Sequence, residues 1–106
     1  ISSMNTLYCF FTHKKHLTQT QERVVKMMNN LPYLIVVGGF PHTQQIDKTL
    51  YLTCDDTYPG LPEKVLSLFH YIYDNPTKFD EYHYIVKLDE DMILKKPLVL
   101  YLLGKE

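Results

Sequence analysis

The chain has 106 residues, 45% of them hydrophobic and 22% charged, with a formal net charge of −1 at pH 7. That length predicts one domain burying about two-thirds of its unfolded surface. The near-neutral charge argues against a nucleic-acid partner, and no apolar run reaches the roughly 18 residues that would cross a bilayer.

In chain order, residues 7–11 are an apolar run that predicts a first strand. Thr12 to His16 is polar and predicts a loop. Thr18-x-x-Gln21 fits a capping box, and Val24, Val25, Met28 and Leu31 recur at helical spacing. A helix is therefore expected over 18–30, stopped by Asn29-Asn30 and Pro32. Residues 33–37, rich in β-branched side chains and closed by Gly38-Gly39, predict a second strand. Residues 40–48 read as polar and irregular, and 49–53 as a third strand. Asp55 to Gly60 reads as a turn, in which Asp56 suits an Asx-type bend before a helix. Leu61, Val65, Leu68, Phe69 and Ile72 line one face of a helix expected over 61–74, where Lys64 reads as a solvated residue. Asn75-Pro76 ends it, and 83–88 is the fourth strand. Pro97 then opens an apolar run, 98–103, that reads as a helix start. A helix apolar all round needs cover, from a second copy of the chain (a homo-oligomer through 98–103) or from further chain.

This alternation predicts an α/β fold with a mostly parallel sheet. Right-handed crossovers favour the Rossmann-like strand order 3-2-1-4. In that order Cys9 and Cys54 stand two strand spacings apart, roughly 9–10 Å, too far for a disulfide, which needs Cα atoms within about 7 Å. The order also reverses direction between strands one and four, and open α/β sheets bind ligands at that crevice, beyond the carboxyl ends of the strands.

Asp89-Glu90-Asp91 follows the fourth strand at that crevice. Residues alternate in direction along an extended segment, so Asp89 and Asp91 face one way and offer hard oxygen ligands to Mn2+ or Mg2+. Two carboxylates leave the shell open for diphosphate oxygens and water. On the opposite wall, Thr12, His13, Lys14, Lys15 and His16, with Arg23 beyond, form a locally basic stretch suited to phosphates. The spacing of His13 and His16 is no zinc signature. Lys87 reads equally as a plain surface lysine or, near the end of the sheet, as a partner for one of the Asp89-Glu90-Asp91 carboxylates.

Thr53-x-x-Asp56-Thr57-Tyr58-x-x-Leu61-x-x-Lys64, followed by Tyr84-Ile85-Val86-Lys87-Leu88-Asp89-Glu90-Asp91-Met92, resembles the beta-1,3-galactosyltransferase family and its Fringe relatives. The family pattern ends in Lys-x-Asp-Asp-Asp, and here Glu90 replaces the middle Asp. The resemblance covers about residues 49–103 and is thin before them, where Thr12 and Arg23 alone match the nucleotide side. It implies the donor half of a glycosyltransferase A-type fold and a hexosyltransferase activity using a UDP-sugar. It further implies nucleotide-sugar contacts from Thr12, Arg23, Asp56, Lys64, Asp89 and Glu90, and a manganese ion held by Asp89 and Asp91. In such enzymes the metal-binding histidine and the catalytic base belong to a C-terminal half. No base is assigned here, and residues 1–106, which begin at Ile1, read as a piece of a longer chain. The glycan or protein acceptor and the compartment are not specified by this sequence.

Two alternatives stand beside this reading. An apolar strand and D-x-D also open haloacid-dehalogenase-type phosphatases, with Asp89 as nucleophile and Asp91 as acid/base; there, however, the motif follows the first strand. The chain also fits a non-catalytic, glycosyltransferase-like interaction domain that pairs through 98–103.

Overall fold

The computed structural model describes residues 5–56, 61–89 and 98–102. Six strands, β1 (Thr6–Thr12), β2 (Tyr33–Val37), β3 (Gln44–Ile46), β4 (Thr49–Tyr51), β5 (Tyr84–Asp89) and β6 (Leu98–Leu102), form one sheet in the order β3-β4-β2-β1-β5-β6. Its centre, β4-β2-β1-β5, is parallel and carries the predicted 3-2-1-4 order. Both edges are antiparallel, β3 on β4 and β6 on β5, so the sheet is mixed.

Helix α1 (Leu17–Met28) covers one face of the sheet and α2 (Leu61–Asp74), followed by the single turn α3 (Pro76–Phe79), covers the other. The two cores follow the strand alternation. Leu7, Cys9 and Phe11 join Leu34, Val36, Leu50 and Ile85 under Leu68 and Ile72 of α2. Phe10, Ile35, Val86 and Leu88 pack with Val24 and Met28 of α1. Burial of both faces explains why the central strands are continuous apolar runs instead of alternating ones. Each helix stops for a local reason. Asn29 takes φ 54° at the end of α1, a conformation Asn tolerates. Asn75 donates its side-chain amide to Tyr71 O at 2.8 Å, and Pro76 opens α3.

Three expectations are corrected. The segment from 98 to 102 is not a helix but strand β6, in register with β5 from Lys87↔Leu98 to Tyr84↔Leu102. A short apolar run satisfies either periodicity, and pairing fills the backbone hydrogen bonds of β5's outer edge. Second, the Thr18–Gln21 capping box does not form. A 3-10 turn (Lys14–His16) leads directly into α1, whose N-cap is His16. Gln21 instead donates to Thr49 Oγ1 at 3.0 Å, Thr20 takes a place on the buried stripe, and Val25 is exposed. Third, residues 40–48 are not wholly irregular: β3 and β4 form a hairpin through Asp47, at φ 56°, and Lys48. Cys9 and Cys54 are free and buried. No helix among the described residues is long and apolar enough to cross a membrane.

Candidate functional site

The parallel strands deliver their carboxyl ends to one edge: Thr12 from β1, Gly38 after β2, Asp56 after β4 and Asp89 at the end of β5. Asp56 joins three of them. Its Oδ2 accepts the Lys14 N–H at 2.8 Å, and its Oδ1 accepts the Gly38 N–H at 3.1 Å and the Lys64 ammonium at 2.9 Å. Its backbone carbonyl accepts a bond from His13 Nδ1 at 2.6 Å. Lys64 then donates to Thr12 O at 3.0 Å, which ties the first turn of α2 to the end of β1.

Lys64 is not solvated as its charge suggests; its side chain is 2% exposed. It lies one helical turn before Leu68 and two before Ile72, on the stripe that α2 buries. Its stem covers apolar surface, and its ammonium reaches the only kind of partner that permits a buried charge, a carboxylate and a carbonyl. Asp56, 20% exposed on its side chain, does not act only within its own turn. Burial works to raise its carboxyl, but the Lys14 amide, the Lys64 ammonium and the Gly38 amide outweigh that and hold it below the ordinary aspartate value. Spacing from Asp56 to Lys64 is visible in the sequence; the partners 42 and 18 residues upstream are not.

The two glycines after β2 allow this close approach. A Cβ on Gly38 would stand 2.9 Å from Cys54 O, and Gly39 takes φ +82° with Asp56 Cβ and Lys14 Cε packed against it. Lys14 lays its ammonium over the Phe40 ring, 4.6 Å from the centroid. Behind the wall, Thr12 and Thr20 hydroxyls meet at 3.0 Å, which fixes α1 to the end of β1.

Across the crevice, β5 runs beside β1 with Asp89 opposite Phe11. Asp89 is 38% exposed on its side chain and accepts from Lys87 Nζ at 2.7 Å. Lys87 also lies over the Phe11 ring. So the structure brings Thr12, Asp56 and Lys64 together, with Asp89 on the neighbouring strand. It does not bring Arg23 to them: Arg23 is exposed on α1, lining a shallow groove with Gln19, Glu22, Lys26 and Met27. Tyr58, Glu90 and Asp91 lie outside the described residues. His13, read from the sequence as part of a phosphate-suited stretch, instead bonds the Asp56 carbonyl, and Gly38 and Gly39 join the site without having been selected from the sequence. A glycine pair ending a strand was the one signal available for the last two.

Compared with family models, curated proteins and solved structures, the chain matches none.

Chemically, the edge offers a rigid, locally basic wall after β1 and a partly exposed carboxylate at the end of β5. Among the described residues, no three His, Cys, Asp or Glu side chains are grouped to hold a metal ion. Asp89 supplies one hard oxygen donor with solvent access, enough to take part in a shell completed by other oxygens but not to build one alone.

Proposed function

We propose that this chain is the donor-binding portion of a metal-dependent glycosyltransferase, holding a UDP-sugar at the carboxyl edge of the sheet between β1 and β5. In this reading the fold is a Rossmann-like, partial glycosyltransferase A-type core. The observation that carries it is Asp89 at the point where strand order reverses, facing a β1 loop fixed by Asp56 and Lys64. That crevice is where open α/β sheets take ligands.

Asp89, with Asp91, would hold Mn2+ or Mg2+, which when bound supplies Lewis-acid stabilisation of the departing diphosphate. A metal at Asp89 would share the carboxylate with Lys87, whose ammonium holds Oδ1 at 2.7 Å in a part-buried pair. Thr12, 1% exposed with its hydroxyl on Thr20, supports the β1 wall from behind and does not present its side chain to a nucleotide. Lys64 supports that wall without touching the ligand, since its ammonium is already spent on Asp56 and Thr12 O. No residue of this chain is assigned as the base that activates an acceptor. A carboxylate on the fifth strand also fits poorly with a haloacid-dehalogenase-type phosphatase, whose nucleophile follows the first strand.

Calorimetry of UDP with Mn2+ tests the proposal. Binding that disappears in EDTA and in Asp89→Asn is expected. A folded chain giving no heat with millimolar UDP and Mn2+ overturns it.

A further inference from the structure

At the opposite edge of the sheet, where the parallel strands begin, the β3–β4 turn and α3 border a cavity of about 250 Å³. Buried Leu7 and Leu34 lie at its base. Tyr33 and the turn residues Asp47 and Lys48 line one side, and Phe79 and Tyr82 the other. Leu7 precedes Thr12 by five residues on β1, so about 16 Å of strand separates this cavity from the crevice described above. Its volume equals that of about eight water molecules and falls below the roughly 300–1,000 Å³ of drug-sized pockets, which suits a single small ring.

The cavity is built before a ligand arrives. Gln45, on its lining, donates Nε2–H to Asp47 O at 2.8 Å, and its Oε1 accepts from Tyr71 Oη at 3.1 Å and Lys78 Nζ at 3.3 Å. Lys78 donates to Tyr71 Oη as well, at 3.0 Å, and the Ile35 amide holds Lys48 O at 2.8 Å. These bonds tie the hairpin to β2, α2 and α3, and a preformed pocket loses little freedom on binding. The Phe79 and Tyr82 rings pack with centroids 6.4 Å apart and present aromatic surface.

The polar groups left over indicate what would fit. The Asp47 carboxylate and Lys48 ammonium have no hydrogen-bond or ion-pair partner among the described residues; Lys48 rests over the Tyr33 ring, 5.3 Å from its centroid. The Tyr33 and Tyr82 hydroxyls have none there either. Asn5 Oδ1 is the one buried side-chain polar atom without a partner among the described residues, so both hydroxyls meet solvent. Burial pushes both phenols up, and each keeps a proton to donate beside its lone pairs. Charge selects no ion. Asp47, Lys48 and Lys78 line the cavity, and Asp74, Asp80 and Glu81 flank α3. Those carboxylates offset the lysines against an anion, and the lysines disfavour a cation.

We propose that this cavity binds a neutral polyol ring the size of one sugar unit. The ring's carbon face would lie on the leucines and aromatic rings. Its hydroxyls, each able to donate and accept, would meet the mixed set of Asp47, Lys48 and the two phenols. The site is separate from the donor-binding edge and does not depend on that reading.

Amide NMR of the 106-residue chain, titrated with methyl glucoside, methyl galactoside and, as a ring with one hydroxyl, cyclohexanol, tests this. At least one glycoside is expected to give saturable shifts at Leu34, Lys48 and Phe79, and cyclohexanol none. Asp47→Gly suits the φ of 56° at that turn, and Lys48→Met keeps the stem over Tyr33. Each removes one charge-assisted bond and is expected to weaken glycoside binding about tenfold with the fold intact. No saturable shift from either glycoside overturns the proposal. So does cyclohexanol binding as tightly as the glycosides, or both variants binding like wild type. UDP with Mn2+ reports on the other edge of the sheet, so either site can fail without the other.

Discussion

Replacing Lys64 by Met tests whether the Asp56–Lys64 pair is a buried clasp or a surface ion pair. Met keeps the apolar stem and removes the ammonium. Asp56 would then retain two amide donors, from Lys14 and Gly38, but lose its counter-ion, and Thr12 O would lose its donor. Removing one partner of a buried pair costs about 3–5 kcal/mol. Asp56 is still 20% exposed and keeps its two amides, which places the expected loss near the lower end, about 3 kcal/mol. That is a large share of the roughly 5–15 kcal/mol that holds a domain together. In urea, with a slope of about 1–3 kcal/mol/M, the unfolding midpoint should fall by about 1–3 M with the slope unchanged. The double variant Lys64→Met/Asp56→Asn should lose less than the sum of the single changes, because the stranded charge is removed with its partner. A fall of less than about 0.3 M in the single variant would refute the buried clasp, since that is the response of a solvated lysine.

The same carboxylate sets an acid limit. Its folded value lies below the ordinary 3.8, so its stabilising contribution is complete above that value and is lost as pH falls through the lower, folded one. Urea melts between pH 7 and pH 2 should show wild type and Asp56→Asn separated by a constant interval at neutral pH, converging only below about pH 4. Gly38→Ala should cost about 1–3 kcal/mol by urea melt, because its Cβ would meet the Cys54 carbonyl at 2.9 Å, and backbone cannot swing aside as a side-chain tip can. Burial pushes both the Cys9 and Cys54 thiols up, the latter despite a hydrogen bond from Ser67. Neither should react with a thiol reagent at pH 8 on mixing, and both should react once the chain is unfolded.

Local pattern was enough for the elements whose signals agree. β2 and α2 were legible to the residue, because a β-branched run closed by two glycines and a 3.6-residue stripe closed by Asn-Pro each have one interpretation. The start of α1 was misread because two hydrogen-bonding options competed at its first turn, and Gln21 found a better partner on β4 than in a capping box. The site divides the same way. Asp89 was legible as a carboxylate ending a strand, and the parallel order placed that end beside β1.

The sequence by itself determined the α/β alternation and the central strand order, because these follow from short-range periodicity and the handedness of crossovers. Only the tertiary structure decided what Asp56, Lys64 and His13 do. Their partners come from β1, β2 and the β4–α2 segment, and a hydrogen bond spanning 18, 42 or 52 residues leaves no mark on local spacing. It also decided that 98–102 is a strand, because the free edge of β5, not the apolar run itself, chose between two conformations the run could equally adopt.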